Sequence, residues 1–197
     1  TQKGTTVLLD AGANMDCKPW HLAQFAVMGS IYMKSLLGIE NPSVGLLSIG
    51  EEETKGNSLV QETLPLIKNV GVNFYGPVEG RDVPEGLTDV VVADGFTGNV
   101  VLKLYEGTAK TVFKMLKDRI MSGFTYKIGA MLMRRVFTEM KTKMSVDVYG
   151  GAPLLGVNGV VIVCHGKVTA NAVYNAVRVS AELAASGMVT HIKKQME

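Results

Sequence analysis

An α/β protein with a mostly parallel sheet flanked by helices is predicted by three features of this sequence. Short runs rich in Val, Ile and Leu lack polar alternation, as suits strands buried on both faces. Longer segments with apolar residues at helical spacing lie between them. Turns bearing glycine and acidic or amide residues close the runs, and such alternation of strand with helix leads to a parallel sheet.

Taken in order, the strand-like runs are residues 6–9, 44–49, 72–75, 90–93 and 160–164. The helical segments are 20–37, 58–70, 99–121, 125–144 and 170–186. No Pro/Ser-rich linker or internal repeat divides the chain, so 1–197 reads as one unit. The first run starts almost at once, and the chain reads as the later part of a longer protein.

Composition narrows the function. With 197 residues, 47% of them hydrophobic, the chain can bury a substantial core, and disorder is excluded. No apolar run reaches the roughly 18 residues a membrane span needs, and no basic-then-apolar leader opens the chain. A soluble, cytoplasmic protein is expected. Cys17 and Cys164 show no C-x-x-C spacing and read as buried thiols. His21, His165 and His191 form no H-x-x-x-H pair, so no metal and no cofactor is expected.

Ligands of open α/β sheets collect beyond the carboxyl ends of the strands. Four turns are expected on that edge: "DAGAN" (10–14), "SIGEEETKGN" (48–57), "GPVEGRD" (76–82) and "DGFTGN" (94–99). In the last, Gly95 and Gly98 would let the backbone approach an anion, with the Thr97 hydroxyl and the dipole of the next helix adding to the attraction. Simple capping by Asp94 and Thr97 competes with that reading. No Walker A or G-x-G-x-x-G pattern is present.

Residues 103–143 hold ten Lys or Arg against three acidic residues, while the whole chain is only +2. Lys127, Arg134, Thr138 and Lys141 fall on one helical strip, with Tyr126, Met133, Val136, Phe137 and Met140 broadly opposite. A basic, Met-rich amphipathic helix of this kind suits an anionic membrane surface or an acidic protein partner, or else a core helix with a solvated face. Nucleic acid is not expected, because no recognition motif or interleaved aromatics accompany the basic residues.

In order along the chain, "DAGANMDCKPWHLAQFAVMGSIY", "VGLLSIGEEETKGN", "VEGRDVPEG", "DVVVADGFTGNVVLK", "YGGAPLLG" and "CHG" resemble the PlsX family of phosphate acyltransferases of bacterial phospholipid synthesis. The resemblance implies transfer of an acyl group from acyl-acyl-carrier-protein to inorganic phosphate, giving acyl phosphate. It also implies a fold similar to the isocitrate and isopropylmalate dehydrogenases and a homodimer. Peripheral association with an anionic membrane would run through a helical tip at about 121–144, with Lys127, Met131, Arg134 and Phe137 as contacts. The "DAMGGD"-like and "AGNTGA"-like turns near the family's N-terminus have no counterpart here, so the chain resembles a C-terminal portion.

Desolvated, well-aimed phosphate can attack a thioester without a Ser-His-Asp triad. Candidate phosphate or substrate contacts are Asn14, Gly50, Asp94, Gly95, Thr97, Gly98 and Asn99, with Asp10, Glu51, Glu52, Glu79 and Asp94 expected to orient Lys, Arg or backbone N–H groups rather than touch phosphate. Lys55, Arg81 and Lys103 are candidate cations, Asn57 and Asn14 candidate oxyanion donors, and His165 a candidate acid for the departing thiol or a structural residue. Two other classes remain open: a non-catalytic carrier-protein or membrane-binding module, and a phosphotransacetylase-like enzyme acting on acyl-coenzyme A.

Overall fold

The computed structural model describes residues 1–143, 150–164 and 169–196. It divides into two compact units, one of 1–102, 154–160 and 182–197, the other of 103–153 and 161–181.

The first unit is built on four parallel strands, β1 (Val7–Leu9), β2 (Ser43–Leu47), β3 (Asn73–Val78) and β4 (Val90–Val92), in the order β1-β4-β2-β3. The central pair shows the two-sided burial expected of unalternated apolar runs: Val90, Val91 and Val92 are all buried, as are Val44, Leu46 and Leu47. The outer strands are only half covered. β3 extends beyond the expected 72–75 and takes in Gly76 and Pro77, which an edge strand tolerates because one side needs no ladder hydrogen bonds.

Helices cover both faces. α1 (Pro19–Leu37) starts with proline at its first position and ends at Gly38 in the left-handed conformation (φ 68°). It packs on β4, on α2 (Ser58–Asn69) and on α8 (Met188–Met196). Gly29 makes the approach to β4 possible, since a Cβ there would lie 2.6 Å from a Val90 methyl carbon. On the opposite face Leu47, Val78, Val91 and Ala93 form a cluster with Leu8, Leu87, Val83 of the short helix α3 (Asp82–Glu85) and Val101 of α4 (Gly95–Met121).

The second unit contains most of α4, then α5 (Phe124–Leu132), α6 (Arg134–Lys143), the antiparallel pair β5 (Ala152–Pro153) and β6 (Ile162–Val163), and most of α7 (Ala170–Ala185). Two expectations are corrected here. The single helix over 125–144 is two helices, because Met133 leaves helical geometry (φ −91°, ψ 9°) and its N–H turns back to the Gly129 and Met131 carbonyls. The run 160–164 is no buried parallel strand: Val161 and Val163 are exposed and β6 pairs only with β5. Cys164 is likewise exposed rather than buried, and Cys17 is half-buried.

Candidate active site

Parallel pairing places the ends of all four strands of the first unit on one edge. Leu9 and Leu46 are both register partners of Val92, and Leu47 is the partner of Val78. The loops after them, beginning at Asp10, Ser48, Glu79 and Ala93, therefore share that edge, as the alternation predicts.

The first loop is organised by Asp10, which is 4% exposed. Its carboxylate accepts the N–H groups of Gly12 (2.9 Å), Ala13 (2.8 Å) and Asn14 (2.7 Å) and the side-chain amide of Asn14 (3.0 Å). Asn14 thus spends one amide hydrogen inside the loop. Burial pushes the Cys17 thiol up from its ordinary range, and the Asp10, Asp94 and Asp16 carboxylates push the same way against a hydrogen bond from the Gly95 backbone. Its Sγ donates to the Asn14 carbonyl at 3.3 Å.

The "DGFTGN" stretch is helix rather than an open turn. α4 begins at Gly95, and Asp94 accepts both the Thr97 N–H (2.8 Å) and the Thr97 hydroxyl (2.7 Å). The Gly95 N–H donates to the Asn14 carbonyl (2.8 Å) and the Gly98 N–H to the Asp94 carbonyl (2.9 Å). Gly95 and Gly98 are buried against the first loop: a Cβ would fall 2.6 Å from the Asn14 carbonyl oxygen in one case and 1.8 Å from that of Asp10 in the other. Their small size serves packing of α4 under the 10–14 loop. Asn99 lies against the Cα of Gly12, 3.6–3.8 Å from where its Cβ would be.

In the second loop Asn57 caps α2, accepting the Val60 N–H at 3.0 Å and keeping its amide hydrogens. Gly50 is buried beside Lys55, whose Cγ would stand 3.0 Å from a Cβ there. Two of the three consecutive glutamates are drawn to cations elsewhere, Glu53 to Lys68 (2.6 Å) and Glu51 to Arg81 (3.8 Å). Lys55 makes no ion pair among the described residues. Arg81 also pairs with Glu79 of its own loop (3.0 Å), so its bond to Glu51 ties the third loop to the second.

The structure therefore brings Asn14, Gly50, Lys55, Asn57, Arg81, Asp94, Gly95, Thr97, Gly98 and Asn99 to loops of one edge. Lys103 is exposed on α4 and belongs to the second unit. His165 lies outside the described residues. Lys127, Met131 and Arg134 are exposed in the second unit, and Phe137 is partly covered. No group of three or more His, Cys, Asp or Glu side chains fit to hold a metal ion occurs among the described residues. Asp10 orients backbone N–H groups as its residue type and position lead one to expect, and an Asp followed by Gly two residues on is a signal for such a turn.

The sequence model of the family described as "Fatty acid synthesis protein" matches residues 1–191. The phosphate acyltransferase of Elusimicrobium minutum (strain Pei191) is 58% identical over 196 residues, covering 100% of this chain and 58% of its own length. That of Geotalea uraniireducens (strain Rf4) is 50% identical over 197 residues, with 57% of its length covered. Similarity to the phosphate acyltransferase of Geobacter sulfurreducens (strain ATCC 51573 / DSM 12127 / PCA) stands at 48%, again over 57% of that protein. The chain spans somewhat less than three fifths of the length of these curated relatives.

Proposed function

The chain belongs to the fatty acid synthesis protein family, and from that premise we propose that its carboxyl edge is the phosphate-facing part of an acyltransferase site. A fatty acyl group passes from the thioester of acyl-acyl-carrier-protein to inorganic phosphate. Acyl phosphate results, and it feeds glycerol-3-phosphate acylation on the way to phosphatidic acid.

A phosphate oxygen attacks the carbonyl carbon, the carbonyl oxygen takes up negative charge, and collapse breaks the C–S bond. The electron pair leaves on the carrier sulfur, which then takes a proton. Phosphate is already anionic near neutral pH, so the protein's task is to hold, desolvate and aim it. Lys55, which makes no ion pair among the described residues, supplies the cation. The amide hydrogens of Asn57 and the second one of Asn14 are donors for the developing oxyanion. The Thr97 hydroxyl already donates its hydrogen bond to Asp94, so its lone pairs receive a P–OH group. Arg81 positions the second and third loops through Glu51 and Glu79. Lys103 as a further cation and His165 as the acid for the thiol rest on their positions in the sequence alone.

The observation that carries this reading is that four loops leave one edge of the sheet and that Lys55, on one of them, makes no ion pair among the described residues. The sheet is further read as part of a dehydrogenase-like fold that pairs as a homodimer and associates peripherally with anionic membrane. A second reading, a carrier-protein or membrane-binding module without turnover, is favoured by α5, which has no buried residue. The test is release of carrier thiol from palmitoyl-acyl-carrier-protein, with and without inorganic phosphate, by this chain and by a form as long as the relatives. Phosphate-dependent release by either form is expected. Binding of carrier protein with no such release from both forms would replace the enzyme by the module.

A further inference from the structure

We infer that the hydroxyl of Ser48 is a hydrogen-bond donor to a phosphate oxygen, an inference that rests on the acyl-transfer reading above. Ser48 is the first residue beyond the central strand β2, and its backbone is fixed there because its N–H donates to the Val78 carbonyl at 2.8 Å. Its side-chain oxygen is buried and makes no hydrogen bond among the described residues. A buried hydroxyl without a partner is uncommon in folded proteins and unfavourable, so it calls for a specific reason.

The surroundings supply one. The hydroxyl faces Gly56, where a Cβ would lie 3.0 Å from Oγ and 2.7 Å from a Val60 methyl carbon. Gly56 also has φ +98°, a conformation that L side chains rarely adopt. The chain above Ser48 therefore carries only hydrogen. Flanking Gly56 in the chain are Lys55 and the α2 cap Asn57, so the loop that covers the hydroxyl also carries one cation and an amide donor. The loop itself is pinned by the Gln61 side chain, whose amide donates to the Thr54 (2.9 Å) and Gly56 (3.4 Å) carbonyls. Ser48 follows Leu46 by two residues as Asp94 follows its register partner Val92, which brings Ser48 level with the start of α4.

The other buried hydroxyl without a partner, that of Ser30, makes a useful contrast. It lines a cavity of about 180 Å³ at the amino ends of β2 and β3, together with Lys34, Glu40, Asn41, Asn73 and Gln195. That space admits water, which can satisfy Ser30 without any ligand. Ser48 instead sits on the edge from which the four loops leave.

The experiment uses the protein at the length of its relatives, as wild type, Ser48→Ala and Ser48→Cys, the last keeping the volume with a much weaker donor. Two quantities are read: the phosphate KM of carrier-thiol release, and the rise in melting temperature on adding inorganic phosphate. Expected are a KM raised about tenfold or more in both variants with little change in kcat, a smaller phosphate-induced rise in melting temperature, and no loss of melting temperature without phosphate. A wild-type KM and an undiminished phosphate response in either folded variant would overturn the inference. So would a lowered melting temperature without phosphate at unchanged KM, which would mark a structural role. If the wild type shows no phosphate-dependent release, the acyl-transfer reading fails, and the melting response to phosphate still decides whether Ser48 binds the anion.

Discussion

Asp10 is the residue on which the first loop depends. A buried carboxylate with four donors around it holds 10–14 in one conformation, and through Asn14 it also sets the carbonyl that receives the Gly95 N–H. Asp10→Asn turns one acceptor into a donor facing N–H groups. It should cost about 3 kcal/mol in urea unfolding, since charge-assisted bonds are lost and buried donors are left unmatched. A cost below about 0.5 kcal/mol, the range of an ordinary surface change, would show that the loop holds itself. Cys17 gives a pH test of the same site. Burial disfavours the thiolate, so the Cys17 alkylation rate should keep rising with pH above the range where an ordinary thiol has levelled off. Pulse alkylation with iodoacetamide and mass spectrometry should find Cys164 modified first at pH 8, because it is exposed. Equal rates would mean that the loop opens readily.

Among the elements, α4 shows what could and could not be read in the sequence. Its existence follows from apolar spacing, but that spacing puts its start at Asn99, four residues after the observed Gly95, because two glycines and an Asp read as a turn. The glycines are helical for a tertiary reason invisible to periodicity: the backbone of the 10–14 loop lies where their side chains would be. Gly98→Ala should therefore destabilise the protein by about 2–3 kcal/mol, because the neighbour is backbone and must shift. Gly107→Ala, in the same helix with nothing within 4 Å, should instead stabilise by roughly 0.5–1 kcal/mol through its better helix propensity. Denaturant midpoints of the pair measure both. A neutral Gly98→Ala would remove close packing as the reason for the glycine. The site shows the same divide. Strand alternation made the shared edge legible and the Asp94–Thr97 cap is local, whereas the Arg81–Glu51 pair and the Gly95 N–H on the Asn14 carbonyl are contacts between loops that no spacing rule encodes.

At the scale of the whole molecule the contrast is between the first unit, which has a two-faced core, and the helices of the second. Leu104, Val112, Met115 and Met121 on α4, with Phe124, Met131 and Leu132 on α5, are each more than half exposed. That is far more clustered apolar surface than scattered exposure explains, and it calls for a covering surface. No helix among the described residues is long and apolar enough to cross a membrane. The basic residues of 103–143 lie on the same segment, and only some are neutralised locally, Lys110 by Glu106 and Arg135 by Glu139. Apolar side chains beside uncompensated cations fit an anionic bilayer better than a neutral one, since burial and counter-charge then act together. The protein should float with vesicles containing anionic lipid and less with purely zwitterionic ones. Met131→Glu combined with Phe137→Glu should reduce flotation several-fold, because each change places a carboxylate where an apolar group would insert. The more exposed Met131 should account for more of the loss than the partly covered Phe137. Equal flotation of wild type and double variant would remove the membrane. The exposed faces of α4 and α5 would then belong to a second copy of the chain, detectable as a dimer by sedimentation.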